Sequence, residues 1–124
     1  MKKILIIVFV SCLVSLSLCA ETIKGHYNLY STSNMYTFLK LDTRSGEIWQ
    51  VQWNTDPNNI IAVVLSSEKL SNDSKDGRFE LFPTTNIYTF LLLDKIDGRT
   101  WQVQWSTEKE NRLLIPIKDL ASID

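Results

Sequence analysis

The sequence has few of the residues on which many enzyme and metal sites depend. It contains two cysteines, one histidine and four glycines in 124 residues. Both cysteines, Cys12 and Cys19, lie in a hydrophobic N-terminal stretch. Without that stretch, the chain offers no thiolate nucleophile, no disulfide and no cysteine-based metal site. Since His26 is the single imidazole, a histidine-rich metal site is excluded as well.

The charge composition excludes two further classes of protein. The chain has 13 Lys and Arg residues against 14 Asp and Glu residues, and no basic cluster. Nucleic-acid-binding domains carry clustered Lys and Arg, so no nucleic-acid partner is expected. Disordered chains combine low hydrophobicity with high net charge, whereas 44% of these residues are hydrophobic and the net charge is −1. The composition is thus that of a folded chain, and the length of 124 residues predicts one small domain.

Residues 1–20 have the pattern of a secretory signal peptide. Two lysines precede an uncharged, mostly apolar run at 4–18, which is shorter than the roughly 20 residues that a membrane-spanning helix needs. Small residues end the run, and cleavage after Ala20 is predicted. The chain is thus expected to be exported, periplasmic or secreted, as a domain at 21–124 with no integral membrane span.

Cys19 leaves two alternatives open. Cleavage after Cys19 is the first. The second is a lipoprotein in which Cys19 is the lipidated first residue, because Leu16 and Ser17 resemble the start of a lipobox. Leu18 departs from that motif, which usually has Gly, Ala or Ser at this position, so a cysteine that is merely part of the leader is the better-supported interpretation.

The rest of the chain contains one sequence unit twice. Residues 25–55 and 77–107 align without a gap at an offset of 52, and 17 of the 31 positions are identical. The identical stretches include Tyr-Thr-Phe-Leu at 88–91 and Trp-Gln-Val-Gln-Trp at 101–105. Such repeats are usually single supersecondary units that stack to complete a core.

The chain is predicted to be a single domain with repeats at 25–76 and 77–124. About 50 residues rarely bury enough surface to fold alone, so the two copies should share a core. Matched residues are therefore expected to carry matched roles. Pro116 stands where the first copy has Val64, and because proline cannot donate to a ladder, the last strand is expected at a sheet edge.

Residue alternation inside each copy is typical of β-strands, and no segment has the pattern of a helix. In 49–53 the tryptophans alternate with glutamines, so the indoles and the amides fall on opposite faces of a strand. The predicted fold class is all-β: a tandem duplication of a four-stranded antiparallel unit, as a compact sandwich or barrel or as two blade-like sheets. Strands are expected at 26–31, 36–42, 47–53 and 60–66, and again at 78–82, 88–94, 99–105 and 112–117.

A hairpin turn recurs in both copies, in the sequence Leu-Asp-x-x-x-Gly-x-x-Trp at 41–49 and 93–101. Its aspartate can accept hydrogen bonds from turn amides, and its glycine can adopt the positive φ that a tight hairpin needs. The predicted structural turn residues are Asp42, Gly46, Asp94 and Gly98.

This motif resembles the hairpin of the tryptophan-docking blades in quinoprotein-type β-propellers. The resemblance covers about ten residues in each copy and implies a four-stranded antiparallel unit. The chain has fewer copies than that family, so the resemblance implies neither a quinone cofactor nor a dehydrogenase. The hairpin is also similar to that of small exported bacterial proteins of unknown function, which implies no mechanism.

Neither copy offers a catalytic constellation, and the chain is predicted not to be an enzyme. A nucleophilic triad needs a base held by a third group, but His26 is matched in the second copy by Arg78. Paired carboxylates could hydrolyse glycosides, but Asp42 and Asp94 are explained by their turns. The turn at 42–47 lacks the alternating oxygen ligands of a calcium loop. No cofactor and no metal are expected.

The repeated aromatic and amide residues are the best candidates for a binding surface. Aromatic faces stack on sugar rings, and neighbouring amides can bond to sugar hydroxyls. In the competing interpretation at least three of the four tryptophans are core residues, and the glutamines form a polar strip on the outer face. The candidate ligand-binding residues are Gln50, Gln52, Gln102, Gln104, Trp49, Trp53, Trp101 and Trp105.

The strands at 36–42 and 88–94 are apolar on both sides, which predicts burial between two layers or a surface that a partner covers. A compact monomer or dimer is favoured over self-association into a ring. The predicted function is an exported, non-catalytic binding or interaction module for a glycan or a protein. The alternatives are a secreted inhibitor or immunity-type protein that binds another protein, and a small structural or accessory protein of the envelope.

Overall fold

The structure of the protein is a computed structural model that describes residues 25–120. The predicted signal peptide at 1–20, its cleavage site and the lipidation of Cys19 lie outside the described residues. Within the described range, no helix has the length and apolar character that a membrane span requires.

Eight antiparallel strands form two four-stranded sheets, so the all-β prediction and the internal repeat are confirmed. Unit 1 contains the strands β1 to β4, at Tyr27–Ser31, Thr37–Asp42, Ile48–Gln52 and Ile61–Ser66. Unit 2 contains the strands β5 to β8, at Phe79–Pro83, Thr89–Asp94, Thr100–Gln104 and Leu113–Ile117. The sheets are not closed into a barrel, and the arrangement is a two-sheet sandwich.

Each sheet is a meander in which the spatial order of the strands equals their order in the chain. Every predicted strand boundary lies within one residue of the observed boundary. The strand β8, which contains Pro116, is an edge strand as predicted. Two short 3₁₀ helices, Pro57–Asn59 and Lys109–Asn111, lead into the last strand of each unit.

Because side chains alternate along a strand, each sheet has a tryptophan side and a glutamine side. The tryptophan side carries Tyr27, Leu29, Phe38, Lys40, Trp49, Val51 and Val64 in unit 1, and Phe79, Leu81, Phe90, Leu92, Trp101, Val103 and Pro116 in unit 2. The glutamine side carries Tyr30, Leu39, Leu41, Ile48, Gln50 and Val63 in unit 1, and Phe82, Leu91, Leu93, Thr100, Gln102 and Ile115 in unit 2.

The two units stack in the same sense, with the glutamine side of unit 1 against the tryptophan side of unit 2. One core joins Leu39, Leu41 and Ile48 to seven residues of unit 2: Phe79, Leu81, Phe90, Leu92, Trp101, Val103 and Trp105. Backbone bonds tie the layers at one end, where the Phe79 N–H donates to the carbonyl of Thr43 at 2.9 Å. The sandwich therefore buries a different side of each unit.

Equivalent residues consequently have different environments. Leu39 is 0% exposed, whereas its equivalent Leu91 is 38% exposed. On the other side the difference is reversed, because Leu81 is 2% exposed and Leu29 is 62% exposed. The expectation that matched residues carry matched roles is therefore wrong. Two apolar sides remain open: the tryptophan side of unit 1 and the glutamine side of unit 2.

Candidate functional site

Gln50 lies inside the interface between the units. Its side chain is fully buried, its Nε2 donates to the carbonyl of Ser106 at 3.0 Å, and the Ser106 N–H donates to its Oε1 at 3.3 Å. A buried amide with both groups bonded is a satisfied structural group. The expectation that Gln50 belongs to an outer amide strip is wrong, because unit 1 buries its glutamine side.

The equivalent residue of unit 2, Gln102, lies on the open glutamine side. It is half-buried between Leu91 of β6 and Ile115 of β8, both of which are exposed. Phe82 and Ile117 add exposed apolar area to the same side. The Gln102 amide thus lies among large apolar side chains.

Gln52 and Gln104 end the strands β3 and β7 and are half-buried. The Nε2 of Gln104 donates to the carbonyl of Asn111 at 2.9 Å. Gln104 and Trp105 also line a cleft of about 280 Å³ with Tyr88. The amide of Gln104 is thus already engaged by the chain itself.

The four tryptophans divide between the units. Trp101 and Trp105 are buried, and the Trp105 indole N–H donates to the carbonyl of Ile87 at 2.9 Å. Trp49 is half-buried and Trp53 is 41% exposed. The expectation that at least three tryptophans are core residues is therefore wrong, and only unit 1 presents indoles to solvent.

The open tryptophan side of unit 1 is an aromatic surface with two cations beside its rings, Lys40 and Arg44, and the Arg44 guanidinium carbon lies 5.7 Å from the Tyr27 centroid. The Tyr27 and Trp49 rings meet edge to face at 6.2 Å between centroids. The ammonium of Lys40 lies 4.8 Å from the Trp49 centroid and 5.8 Å from that of Tyr27, which are cation–π distances. Leu29 and Val64 are both more than half exposed beside these rings. Contiguous exposed apolar side chains are a feature of interaction surfaces.

A second aromatic pair continues the same side toward its far end. The Tyr36 and Trp53 rings are 5.0 Å apart and tilted, and the Trp53 indole N–H donates to the carbonyl of Met35 at 2.7 Å. This bond fixes the indole while leaving part of its ring accessible. The pair gives the surface a rigid aromatic end.

The repeated aspartates, Asp42 and Asp94, accept hydrogen bonds from turn amides and from arginine side chains. The Oδ1 of Asp42 accepts from the Arg44 amide at 3.0 Å, and the Arg44 guanidinium donates to both carboxylate oxygens. Burial raises the pKa of Asp42, but these hydrogen bonds outweigh it and hold the net pKa below its usual value. The turn glycines Gly46 and Gly98 have φ values of 84° and 81°.

The carboxylate of Asp94 is fully buried and held by two arginines. Arg78 donates to both oxygens, with its Nη2 at 2.8 Å from Oδ2, and Arg99 donates to Oδ2 at 3.1 Å. Burial raises the pKa of Asp94, but the hydrogen bonds from Arg78, the Ile96 amide and Arg99 lower it by more than burial raises it. The net pKa therefore lies well below the usual range. The carboxylate is therefore ionised at neutral pH, and its hydrogen bonds anchor the hairpin.

His26 contacts the carboxylate of Asp76 at the surface, and its ring is about half exposed. The described part of the chain contains no group of three or more His, Cys, Asp or Glu residues that could hold a metal ion. The two open sides are the main exposed apolar surfaces of the described residues.

Sequence reasoning missed Tyr27, Leu29 and Lys40 as surface residues. A signal for two of them lies in the differences between the copies. Lys40 stands where unit 2 has the fully buried Leu92, and Tyr27 stands where unit 2 has the fully buried Phe79. Both differences add a polar atom to the side that unit 1 leaves open, and only a comparison of the repeats position by position reveals them.

Comparisons with protein-family models, with curated proteins and with solved structures gave no match.

Proposed function

We propose that this chain is an exported, non-catalytic module that binds a protein partner through the open tryptophan side of unit 1. One observation carries the proposal: Tyr27 and Leu29 are at least half exposed, whereas their equivalents in unit 2, Phe79 and Leu81, are core residues. The tryptophan side of unit 2 packs against the glutamine side of unit 1 inside the chain. The similar tryptophan side of unit 1 is exposed to solvent, so we expect it to pack against an apolar surface of a partner.

The energetics favour coverage of this side. Full burial of a large apolar side chain contributes roughly 1.5–3 kcal/mol, so Leu29 and Val64 together supply a useful part of a binding free energy. Tyrosine and tryptophan are the residue types that anchor protein interfaces, and Tyr27 and Trp49 are held in place by their mutual contact. Lys40 adds both an apolar stem and a charge above the two rings.

Other observations support a non-catalytic role. The repeated carboxylates of Asp42 and Asp94 are bonded to arginines. The single histidine is paired with Asp76 at the surface. These contacts have structural explanations, so the chemistry left for function is that of the apolar surfaces.

The test uses a photo-crosslinking amino acid placed at Val64, which is exposed on β4. The matched control carries the same amino acid at Asn58, an exposed residue in the adjoining 3₁₀ helix. Irradiation of living cells should give protein adducts of defined mass at Val64 and none at Asn58. The substitution Leu29→Arg in the Val64 variant should remove the adducts.

Two results would count against this function. Equal labelling from Val64 and Asn58 would show that the tryptophan side is an ordinary solvated face, as in a structural or accessory protein of the envelope.

A glycan is the second candidate, because the Tyr36–Trp53 pair offers accessible ring faces. Binding on a glycan array that Trp53→Ala abolishes and Leu29→Arg does not would favour that ligand instead.

Export has its own test. The protein recovered from the envelope or the medium should begin at or near Glu21 and contain no thiol. A chain that retains Met1 would contradict export. Partitioning into detergent that disappears on Cys19→Ala would replace cleavage after Ala20 by the lipoprotein route.

A further inference from the structure

We propose that the partner of the open tryptophan side is the open glutamine side of a second copy of this chain. The inference rests on the proposed function and names the partner for that surface. The contact between unit 1 and unit 2 inside one molecule already joins a glutamine side to a tryptophan side. The two sides that remain open are the other glutamine side and the other tryptophan side, so each molecule carries both halves of the same interface.

Most residues of the internal interface recur on the open sides, whereas Ile48, Phe79 and Leu92 are replaced there by Thr100, Tyr27 and Lys40. From unit 1 the interface uses Leu39, Leu41 and Gln50, which recur on the open glutamine side as Leu91, Leu93 and Gln102. From unit 2 it uses Leu81, Phe90, Trp101, Val103 and Trp105, which recur in unit 1 as Leu29, Phe38, Trp49, Val51 and Trp53. A contact between two copies can therefore repeat much of the observed packing, with Lys40 at the position of the buried Leu92.

The hydrogen bonds of the internal interface can be repeated as well. Inside the chain, the amide of Gln50 bonds to the backbone N–H and carbonyl of Ser106. The equivalent pair between molecules is Gln102 with the backbone of Asn54, and the change from serine to asparagine leaves the backbone groups unaltered. Within residues 25–120, the N–H and carbonyl of Asn54 have no hydrogen-bond partner. The neighbour's Gln102 would supply both.

The charged differences between the copies are complementary. The open tryptophan side gains Lys40 in place of a leucine, and the open glutamine side gains Glu80 in place of Asn28. Lys40 pairs across the sheet with Leu29, and Glu80 lies two residues from Phe82 on the same side of β5. Inside the chain, the hydroxyl of Tyr30 accepts a hydrogen bond from the Leu81 N–H at 3.3 Å. The equivalent of Tyr30 is Phe82, and the equivalent of Leu81 is Leu29. The same contact between two copies would therefore bring Phe82 of one copy next to Leu29 of the other. Neighbouring copies therefore bring Lys40 to the same region as Glu80, whose carboxylate also lies 3.5 Å from the Nζ of Lys95 in its own chain.

The sense of the contact has a consequence for assembly. A two-fold dimer would place like sides together, whereas this contact joins unlike sides and leaves one of each kind open at the ends. Such a heterologous contact closes into a ring when the rotation permits and otherwise continues as a chain. The mass of the wild-type assembly gives the number of copies.

The experiment uses the chain as it is recovered from cells that express the full sequence. One variant, Leu29→Arg, blocks the tryptophan side, and the other, Leu91→Glu, blocks the glutamine side. Leu120→Arg is the matched control, since Leu120 is 79% exposed and lies after the last strand. Circular dichroism and thermal melts show that each variant folds, and Val64→Arg and Ile115→Glu replace any variant that does not.

Sedimentation velocity should show self-association of the wild type and of the control. Each blocked variant alone should associate at least about tenfold more weakly, because a charge would have to be buried without a partner. Mixed together, the two variants should form a 1:1 dimer, since each retains the side that the other lacks.

Three results would overturn the inference. The first is a wild-type chain that remains monomeric at millimolar concentration; protein adducts of other mass at Val64 would then leave the proposed function standing with a different partner. The second is a Leu91→Glu variant that dimerises by itself, which would mean that like sides meet. The third is a mixture of the two blocked variants that stays monomeric while the wild type associates, which would place the contact elsewhere on the surface.

Discussion

Gln50 and Ser106, 56 positions apart in the chain, exchange two hydrogen bonds across the interface between the units. The amide of Gln50 satisfies both the N–H and the carbonyl of one buried backbone residue. Its sequence equivalent, Gln102, faces out of the sandwich instead. The same residue type thus locks the two layers together in one copy and lies on an open surface in the other.

This relationship separates the effects of two matched substitutions. We expect Gln50→Ala to lower the free energy of unfolding by about 1–3 kcal/mol, because it leaves the buried N–H of Ser106 without a partner. It also removes one of two hydrogen bonds to the Ser106 carbonyl, which still accepts from Arg112 Nε at 2.9 Å. Gln102→Ala should change it by less than about 0.5 kcal/mol. Urea denaturation of the two variants at low protein concentration measures both values. Equal losses would contradict the assignment of the buried and open glutamine sides.

The tryptophans give a second matched pair. Trp101→Ala removes a buried indole from the core and should cost about 3–5 kcal/mol. Trp49→Ala should cost about 1–2 kcal/mol, since its ring already contacts water in the folded state. Fluorescence quenching by iodide, at a protein concentration low enough to keep the chain monomeric, gives an independent check, because Trp49 and Trp53 should be quenched and Trp101 and Trp105 protected. An indole at position 101 that is quenched as readily as the one at 49 would refute the stacking.

Substitution by alanine should lower the stability by different amounts at the two turn glycines, Gly46 and Gly98. Gly98→Ala should cost about 1 kcal/mol, because alanine at φ 81° is strained although no atom lies within 4 Å of the added Cβ. Gly46→Ala should cost more, about 2 kcal/mol, since its Cβ would lie 2.9 Å from Cδ1 of Leu70 in addition to the strain at φ 84°. Thermal denaturation measures the difference. In the double variant Gly46→Ala/Leu70→Ala, the excess over Gly98→Ala should shrink; an unchanged excess would exclude the Leu70 contact as its cause.

Asp94 should make the stability depend on pH in acid. Its pKa is lower in the folded chain than the ordinary value of about 3.9, so the ionised form favours folding. This contribution is complete above about pH 5 and is lost progressively as the pH falls below 4 toward the folded-state pKa.

Asp94→Asn should therefore flatten the acid limb of the stability curve and destabilise the protein at pH 7 by about 2 kcal/mol. Asp97→Asn, which alters a partly exposed carboxylate of the same turn, is the control and should leave the acid limb steep. Chemical denaturation between pH 3 and pH 7 compares the three proteins. An acid limb in Asp94→Asn as steep as in the wild type would assign the effect to other carboxylates.

Much of the fold is legible in the sequence because its causes are local. The alternation of Trp49 and Trp53 with glutamines defines a strand and its two sides within five residues. The aspartate and glycine at 42 and 46 define the hairpin through bonds inside one turn. The offset of 52 then transfers each assignment to the second copy, and the observed strands agree with it to within one residue.

The residues of the candidate site could not be predicted from the sequence in the same way, because their exposure does not depend on local interactions. Alternation shows that Gln50 and Trp49 point to opposite sides of a strand, but it contains no information on which side meets the other unit. That choice depends on how two whole sheets stack, and the identical stretches at 49–53 and 101–105 bury opposite sides in the two copies. Stacking in the same sense buries Leu39 and exposes Leu29 in unit 1, while unit 2 does the reverse at the equivalent positions. The sequence by itself determined the strands, the turns and the repeat; only the tertiary structure decided which two sides are open, because burial is set by the neighbour that a side chain meets.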